Sequence, residues 1–118
     1  FNRTTQKFTL YFKLYPPKEK GGKSGKDYAW VGVATSSTPT GPFDYQGYFL
    51  GNHSEFGTGD FAIFQDDDGA TYHIAVRKPD KRLVYGRLSE DGLRPTGDYK
   101  TLEGVTRHTE APAFFRRG

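Results

Sequence analysis

Two acidic residues occupy matching places in a repeated piece of the sequence. Asp60 opens the segment DFAIF, and Glu110 opens EAPAF 50 positions later, so each acid is followed four residues on by Phe. A pair of carboxyl groups can hydrolyse a glycosidic bond when one protonates the leaving oxygen and the other activates water, roughly 6.5–9.5 Å apart in the inverting case. Acids at strand ends are also common without any chemical task. The pair is therefore a candidate catalytic site with a purely structural alternative.

The chain that must position these acids has the composition of short strands joined by tight turns. Aromatic residues make up 16% of its 118 residues, and it contains 15 Gly and 7 Pro, a mixture typical of β-structure. The hydrophobic fraction of 34% is low for a self-contained globule. We therefore predict an all-β fold without a large core of its own.

Alternation of apolar and polar residues, interrupted by turn residues, divides the chain into strands. The strands are predicted at 8–14, 28–35, 43–50, 61–64, 71–76, 83–88 and 99–102, with another beginning at 111. The run DDDG at 66–69 predicts a hairpin turn, because Asp-Gly tolerates positive φ, and it lacks the ligand spacing of a calcium loop. We expect the strand after this turn to place His73 on one face and Ile74 on the other.

The repeat of about 50 residues is close to the length of one blade of a β-propeller. We predict roughly two and a half four-stranded blades, with blade-like units at 1–59 and 60–109 and the start of a third at 110–118. The chain is expected to be an internal piece of a longer protein.

Several other kinds of chemistry are excluded by the composition. The chain has no Cys, and its three His residues are scattered, so we predict neither a metal site nor another cofactor. Four lysines at 18–26 lie in a Gly-rich stretch without interleaved aromatic residues, which favours a solvated loop over a nucleic-acid surface. No apolar run of 18 residues exists, so no membrane span is predicted.

Three segments resemble glycoside hydrolase family 43. Residues 59–72 (GDFAIFQDDDGATY) are similar to the family pattern in which an acid opens a blade and a DDG turn leads to an aromatic strand. Residues 109–118 (TEAPAFFRRG) resemble the motif of the next blade, and 33–43 (VATSSTPTGPF) resemble a further segment common in this clan. The resemblance implies a five-bladed β-propeller that hydrolyses O-glycosyl bonds. Within the family it is nearest to the exo-β-1,3-galactanase and β-galactosidase branch.

The resemblance also implies roles for individual residues. Glu110 is expected to be the general acid, and Asp60 the carboxylate that sets the pKa and orientation of that acid. A nearby negative charge raises the pKa of a carboxylic acid and so keeps its proton available. Tyr28, Arg107 and His108 are expected to bind the substrate. Tyr28 could instead be strand packing. Arg77 and Arg107 could bind sugar hydroxyls or pair with the two candidate carboxylates, but a strand arginine is more often an ordinary surface residue.

The predicted function is an inverting, exo-acting glycosidase for galactan-type or related plant polysaccharide side chains. Its partners are then an oligo- or polysaccharide and the remainder of the propeller, and the family implies a secreted or periplasmic location. The catalytic base is expected outside residues 1–118, so the chain alone should be inactive. Two alternatives stay open: a carbohydrate-binding propeller that has lost catalysis, and a small β domain without a role in sugar chemistry.

Overall fold

Strands form where apolar and β-branched residues alternate with polar ones. The computed structural model describes residues 1–15, 29–51, 57–78, 80–104 and 112–113. Its strands are β1 Phe8–Leu14, β2 Trp30–Ser36, β3 Asp44–Phe49, β4 Thr58–Gln65, β5 Thr71–Arg77, β6 Leu83–Arg87 and β7 Lys100–Thr101. The all-β prediction is confirmed. The described residues form no helix, and hence none that is long and apolar enough to cross a membrane.

The strands pair into two antiparallel sheets with a common plan. The first sheet has the order β1-β2-β3 and the second β4-β5-β6-β7. Asn2 N donates to Lys7 O just before β1, and Asp66 N donates to Ala70 O just before β5, each at 2.8 Å. By this comparison β1 to β3 correspond to β5 to β7, and Asn2 lies where β4 ends in the second sheet.

The limits of the described strands differ from the predicted ones by a few residues. β4 begins at Thr58 rather than at 61, because the backbone pairing extends through a glycine that carries no side-chain pattern. β7 is reduced to two residues. The division into units at 1–59, 60–109 and 110–118 stays a prediction, and of the third unit only residues 112–113 are described.

An apolar cluster joins the two sheets face to face. Its buried members come from β2, from β3 and from the residue that follows β6. They are Val31, Val33, Phe49 and Leu88, with Tyr11, Phe61, Ile63 and Leu93 packed around them. Burying one such side chain stabilises the fold by about 1.5–3 kcal/mol relative to leaving it exposed. This inter-sheet cluster therefore holds the first sheet against the second.

The far side of the second sheet is also apolar. Ile74, Val76 and Leu83 are buried there, and Phe64, Tyr72, Tyr85 and Leu102 pack around them. Tyr11 lies four residues after Lys7, and Ile74 lies four residues after Ala70, so the two occupy corresponding positions of β1 and β5. The second cluster therefore lies on the face of the second sheet that corresponds to the inter-sheet face of the first sheet. We call it the outer apolar face.

β1 has one fully apolar face and one mixed face, which carries Thr9, Tyr11 and Lys13. The mixed face is the one that points toward the second sheet. Tyr11 packs on the inter-sheet cluster, and Lys13, two residues further along the strand, shares that face. On the opposite face the ring of Phe12 covers Gly32, where a Cβ would lie 2.4 Å from the ring. Leu10, also on that face, is 47% exposed.

The predicted hairpin between β4 and β5 is confirmed. The register runs antiparallel from Phe61 opposite Ala75 to Gln65 opposite Thr71. Gly69 has a φ of 89° and donates its N–H to Asp66 O at 2.9 Å. The run DDDG therefore forms a tight turn.

His73 faces the first sheet and is part of the core. It is fully buried, with ring centroids 5.3 Å from those of both Phe49 and Phe61. Its Nδ1 lies 2.7 Å from Tyr99 Oη, and the Tyr99 ring lies over Gly86. Burial raises the pKa of the Tyr99 hydroxyl, which keeps it protonated and able to donate. The predicted separation of His73 and Ile74 onto opposite faces is confirmed.

Candidate functional site

Asp60 lies at a β-bulge at the start of β4. Thr58 pairs with Arg77 and Phe61 with Ala75, so three steps along β4 oppose two along β5. Gly59 allows this close approach, since a Cβ there would lie 2.7 Å from the carbonyl oxygen of Val76. A bulge adds one residue to a strand and shifts the alternation of side chains beyond it.

The bulge directs Asp60 toward the first sheet. In an unbroken strand Asp60 would share the face of Ala62 and Phe64, and that face points away from the first sheet. Instead, Asp60 Oδ1 forms an ion pair with Nζ of Lys13, which lies near the end of β1. The two side chains are 42% and 31% exposed, respectively. The carboxylate is therefore both accessible and held by a partner from the other sheet.

Backbone contacts fix this end of β4 against the first sheet. Thr58, which is fully buried, donates its N–H to Ala29 O at 2.8 Å, and the two residues form an isolated antiparallel bridge. Gly57 has a φ of 82°, and a Cβ there would lie 2.5 Å from the same carbonyl oxygen, so the position requires glycine. Asp60 therefore follows a segment whose backbone is bonded to both sheets.

Arg77, opposite Thr58, is engaged by Asp80. Its Nε donates to Asp80 Oδ1 at 3.0 Å, and its Nη2 donates to Oδ2. The hydrogen bond from Arg77 holds the pKa of Asp80 below its ordinary value, and the same bond raises the pKa of Arg77. The pair that the structure shows for Arg77 is with Asp80, three residues along, and both side chains are partly exposed. This arrangement fits the alternative of a surface strand arginine.

Four of the five predicted site residues lie outside the described residues. They are Tyr28, Arg107, His108 and Glu110. Their roles stay predictions, as does the separation of the Asp60 and Glu110 carboxyl groups. Asp60 is the predicted residue that the structure places.

Lys13 was missed by the sequence reasoning. It occupies an ordinary polar position in an alternating strand, and 47 residues separate it from Asp60. No local spacing indicates a pair that only the packing of two sheets brings together. A signal for the bulge was available in the glycines at 57 and 59, which lie three residues and one residue before the acid. Glycine inside a strand pattern often marks a bulge.

Solved structures reveal what this arrangement resembles. No protein-family model matches the sequence, and no curated protein does. The family 43 β-1,3-galactosidase BT0265 matches 99% of this chain, with a TM-score of 0.76 and 27% sequence identity. The fold is that of a family 43 glycoside hydrolase.

Two further structures support the family 43 fold. The β-1,3-galactosidase BT3683 with galactodeoxynojirimycin matches 99% of the chain at 24% identity and a TM-score of 0.79. The exo-β-1,3-galactanase from Phanerochaete chrysosporium with galactose matches 90% of the chain at 27% identity and a TM-score of 0.68. The chain spans 23% of BT0265, 45% of BT3683 and 23% of the galactanase. The predicted resemblance to family 43 is confirmed, and the two sheets are part of a β-propeller.

Proposed function

We propose that this chain is the acid-bearing part of a glycoside hydrolase that cleaves O-glycosyl bonds with inversion. The observation that carries the proposal is the placement of Asp60, whose carboxylate is turned by a bulge toward the neighbouring sheet of a family 43 fold. The glycines at 57 and 59 and the bridge between Ala29 and Thr58 support the proposal, because they fix the backbone that presents this acid.

In the proposed mechanism two carboxyl groups divide the work. Glu110 donates its proton to the leaving oxygen while a water molecule attacks from the opposite face of the sugar. Asp60 stays charged and favours the protonated form of Glu110, because placing a second negative charge beside the first costs Coulomb energy. Tyr28, Arg107 and His108 bind the sugar, and a residue outside 1–118 activates the water.

A galactan-type substrate, cleaved from its end, is the finer part of the proposal. The relatives at 27% identity are named as a β-1,3-galactosidase and an exo-β-1,3-galactanase, and the galactanase is solved with β-1,3-galactotriose in two variants of one glutamate. A β-xylosidase/α-arabinofuranosidase is similar in fold, at 22% identity and a TM-score of 0.56. An α-L-arabinofuranosidase from Clostridium thermocellum matches at 25% identity, also with a TM-score of 0.56. The higher TM-scores of the galactosidases and the galactanase, 0.68 to 0.79, favour galactan. We propose a secreted or periplasmic location with it.

Glu110→Gln in the full-length protein tests the proposed function. The substitution removes the proton donor while preserving size, so kcat/KM on β-1,3-galactan should fall about 10²- to 10⁴-fold. An aryl β-galactoside with an acidic phenol as leaving group needs little protonation and should lose much less. Glu103→Gln, at an exposed glutamate, is the matched control and should leave both rates unchanged.

The outcomes separate the candidate functions. Equal loss on both substrates, or no loss on either, would mean that Glu110 is not the general acid. Binding of galactan by the full-length protein without any hydrolysis would identify a carbohydrate-binding propeller instead. The isolated 118-residue chain should be inactive on both substrates, since the proposed base lies outside it.

A further inference from the structure

We infer that Lys13 is a positioning residue for Asp60 and that it limits the electrostatic field which Asp60 exerts on the proton donor. The inference rests on the proposed function, in which Asp60 acts through its charge. The observation behind it is the direct contact between Lys13 Nζ and Asp60 Oδ1 across the two sheets.

Lys13 is well placed to orient the carboxylate. Its backbone is held in β1 opposite Val31, and Tyr11, two residues earlier, is anchored through its hydroxyl to Gly92 O at 2.9 Å. The ammonium group therefore extends from a fixed strand toward a carboxylate on a different sheet. Without that contact the Asp60 side chain loses an inter-sheet restraint on its rotamer.

The charge of Lys13 has a separate effect. A carboxylate in contact with an ammonium group projects a weaker field than a bare carboxylate, because the two charges partly cancel at a distance. A weaker negative field raises the pKa of a neighbouring acid by less. Lys13 thus adjusts how far Asp60 shifts the titration of the proton donor.

Two further charged groups of the described residues lie at the end of β5 and directly after it. Lys78 follows β5, and its Cε lies 3.4 Å from where a Cβ at Gly59 would be. The charge of Arg77 is offset by its bidentate pair with Asp80. Lys13 differs from these groups because its contact with Asp60 crosses from one sheet to the other.

The test compares pH profiles of kcat/KM for variants of the full-length protein. Lys13→Met and Lys13→Gln remove the charge by two different side chains, and Lys13→Arg keeps it. Lys7→Met, at an exposed lysine just before β1, is the matched control. Each variant is measured on β-1,3-galactan, which needs the acid, and on an aryl β-galactoside with an acidic leaving group, which needs it little.

Both neutral variants should shift the alkaline limb of the galactan profile upward by about half a pH unit or more, because loss of a positive charge favours the protonated acid. The limb on the aryl substrate should move much less, and Lys13→Arg and Lys7→Met should match the unchanged protein on both substrates. A galactan profile that keeps its alkaline limb in both neutral variants would overturn the inference, even if the rates fall. The result with Glu110→Gln does not depend on Lys13, so the inference and the proposed function can fail separately.

Discussion

The two ends of the sheet pair join the same sheets by different chemistry. At the end where β1 begins, neutral side chains of the first sheet bind backbone carbonyls in the turn after β6. Asn2 Nδ2 donates to Glu90 O at 2.8 Å, and Tyr11 Oη donates to Gly92 O at 2.9 Å. At the end where β1 finishes, a partly exposed ion pair between Lys13 and Asp60 makes the connection.

Under the proposed function, the first end serves the fold and the second serves catalysis. Burial raises the pKa of Tyr11 to about 12, so its hydroxyl remains a neutral donor at any physiological pH. Exposed ion pairs contribute only about 0–1 kcal/mol to stability. The Lys13–Asp60 pair is therefore expected to add little to stability, whereas the partly buried hydrogen bonds of Asn2 and Tyr11 help to hold the two sheets together.

The largest effect on activity is expected from Asp60→Asn in the full-length protein. We expect kcat/KM on β-1,3-galactan to fall about 100-fold or more, since the amide keeps the shape of the side chain and removes its charge. The melting temperature should change little, because the pair is partly exposed to solvent. Asp98→Asn, at an exposed aspartate, is the control for both measurements. A variant that melts much earlier while keeping its activity would reverse the roles assigned to the two ends.

Gly57→Ala tests whether the backbone bridge between Ala29 and Thr58, next to the Lys13–Asp60 pair, is needed for stability. The new Cβ would meet Ala29 O at 2.5 Å in a conformation with φ of 82°, so we expect a loss of about 2 kcal/mol or more in the free energy of unfolding. Gly97→Ala is the matched control, because a Cβ there has no atom within 4 Å, and it should stay within about 0.5 kcal/mol. Denaturant midpoints of the two variants provide the measurement. Equal midpoints would show that the bridge at Ala29 tolerates displacement.

Tyr11→Phe removes a hydroxyl at the end of the sheet pair where β1 begins and should have the smallest effect of the three substitutions. Losing the hydrogen bond to Gly92 should cost about 1 kcal/mol at neutral pH, with no change in the pH profile of activity. The pKa of Tyr11 is raised from 10.0 to about 12 in the folded protein. The stabilisation by the Tyr11 hydroxyl is therefore complete below pH 10 and is lost as pH rises toward 12. The difference in free energy of unfolding between the unchanged protein and Tyr11→Phe should narrow over that range. Unfolding curves of both proteins at pH 8, 10 and 11 measure this difference. A difference that stays constant with pH would argue against a buried neutral hydroxyl.

Much of the fold was predictable because its signals are local. The alternation from Phe8 to Leu14 and the DDDG turn each depend on neighbouring residues, and β1 and the hairpin formed as predicted. The choice of which face of β1 contacts the second sheet was not predictable in this way. Gly32 leaves room for the ring of Phe12 on the far side, and only the pairing of β1 with β2 brings those residues together.

The sequence could single out Asp60 as a candidate site residue, but it could not predict the direction of its side chain. Asp60 stands out because its motif repeats at Glu110, yet the pattern of β4 alone would place it on the wrong face. The bulge that redirects it follows from Gly59 fitting against a carbonyl of β5, and Lys13 comes from a distant strand. Contacts between sheets depend on packing, which spacing along the chain does not encode.

The packing of the two sheets also has a consequence for symmetry. The first sheet contacts the second through one face, and the second sheet presents the corresponding face, the outer apolar face, on its far side. A contact that joins two different faces of equivalent units is head-to-tail, and each such step adds the same rotation. Repeating one rotation leads either to a closed ring or to an open helix. The rotation and translation that relate these two sheets therefore determine whether further sheets, added in the same way, form a closed ring.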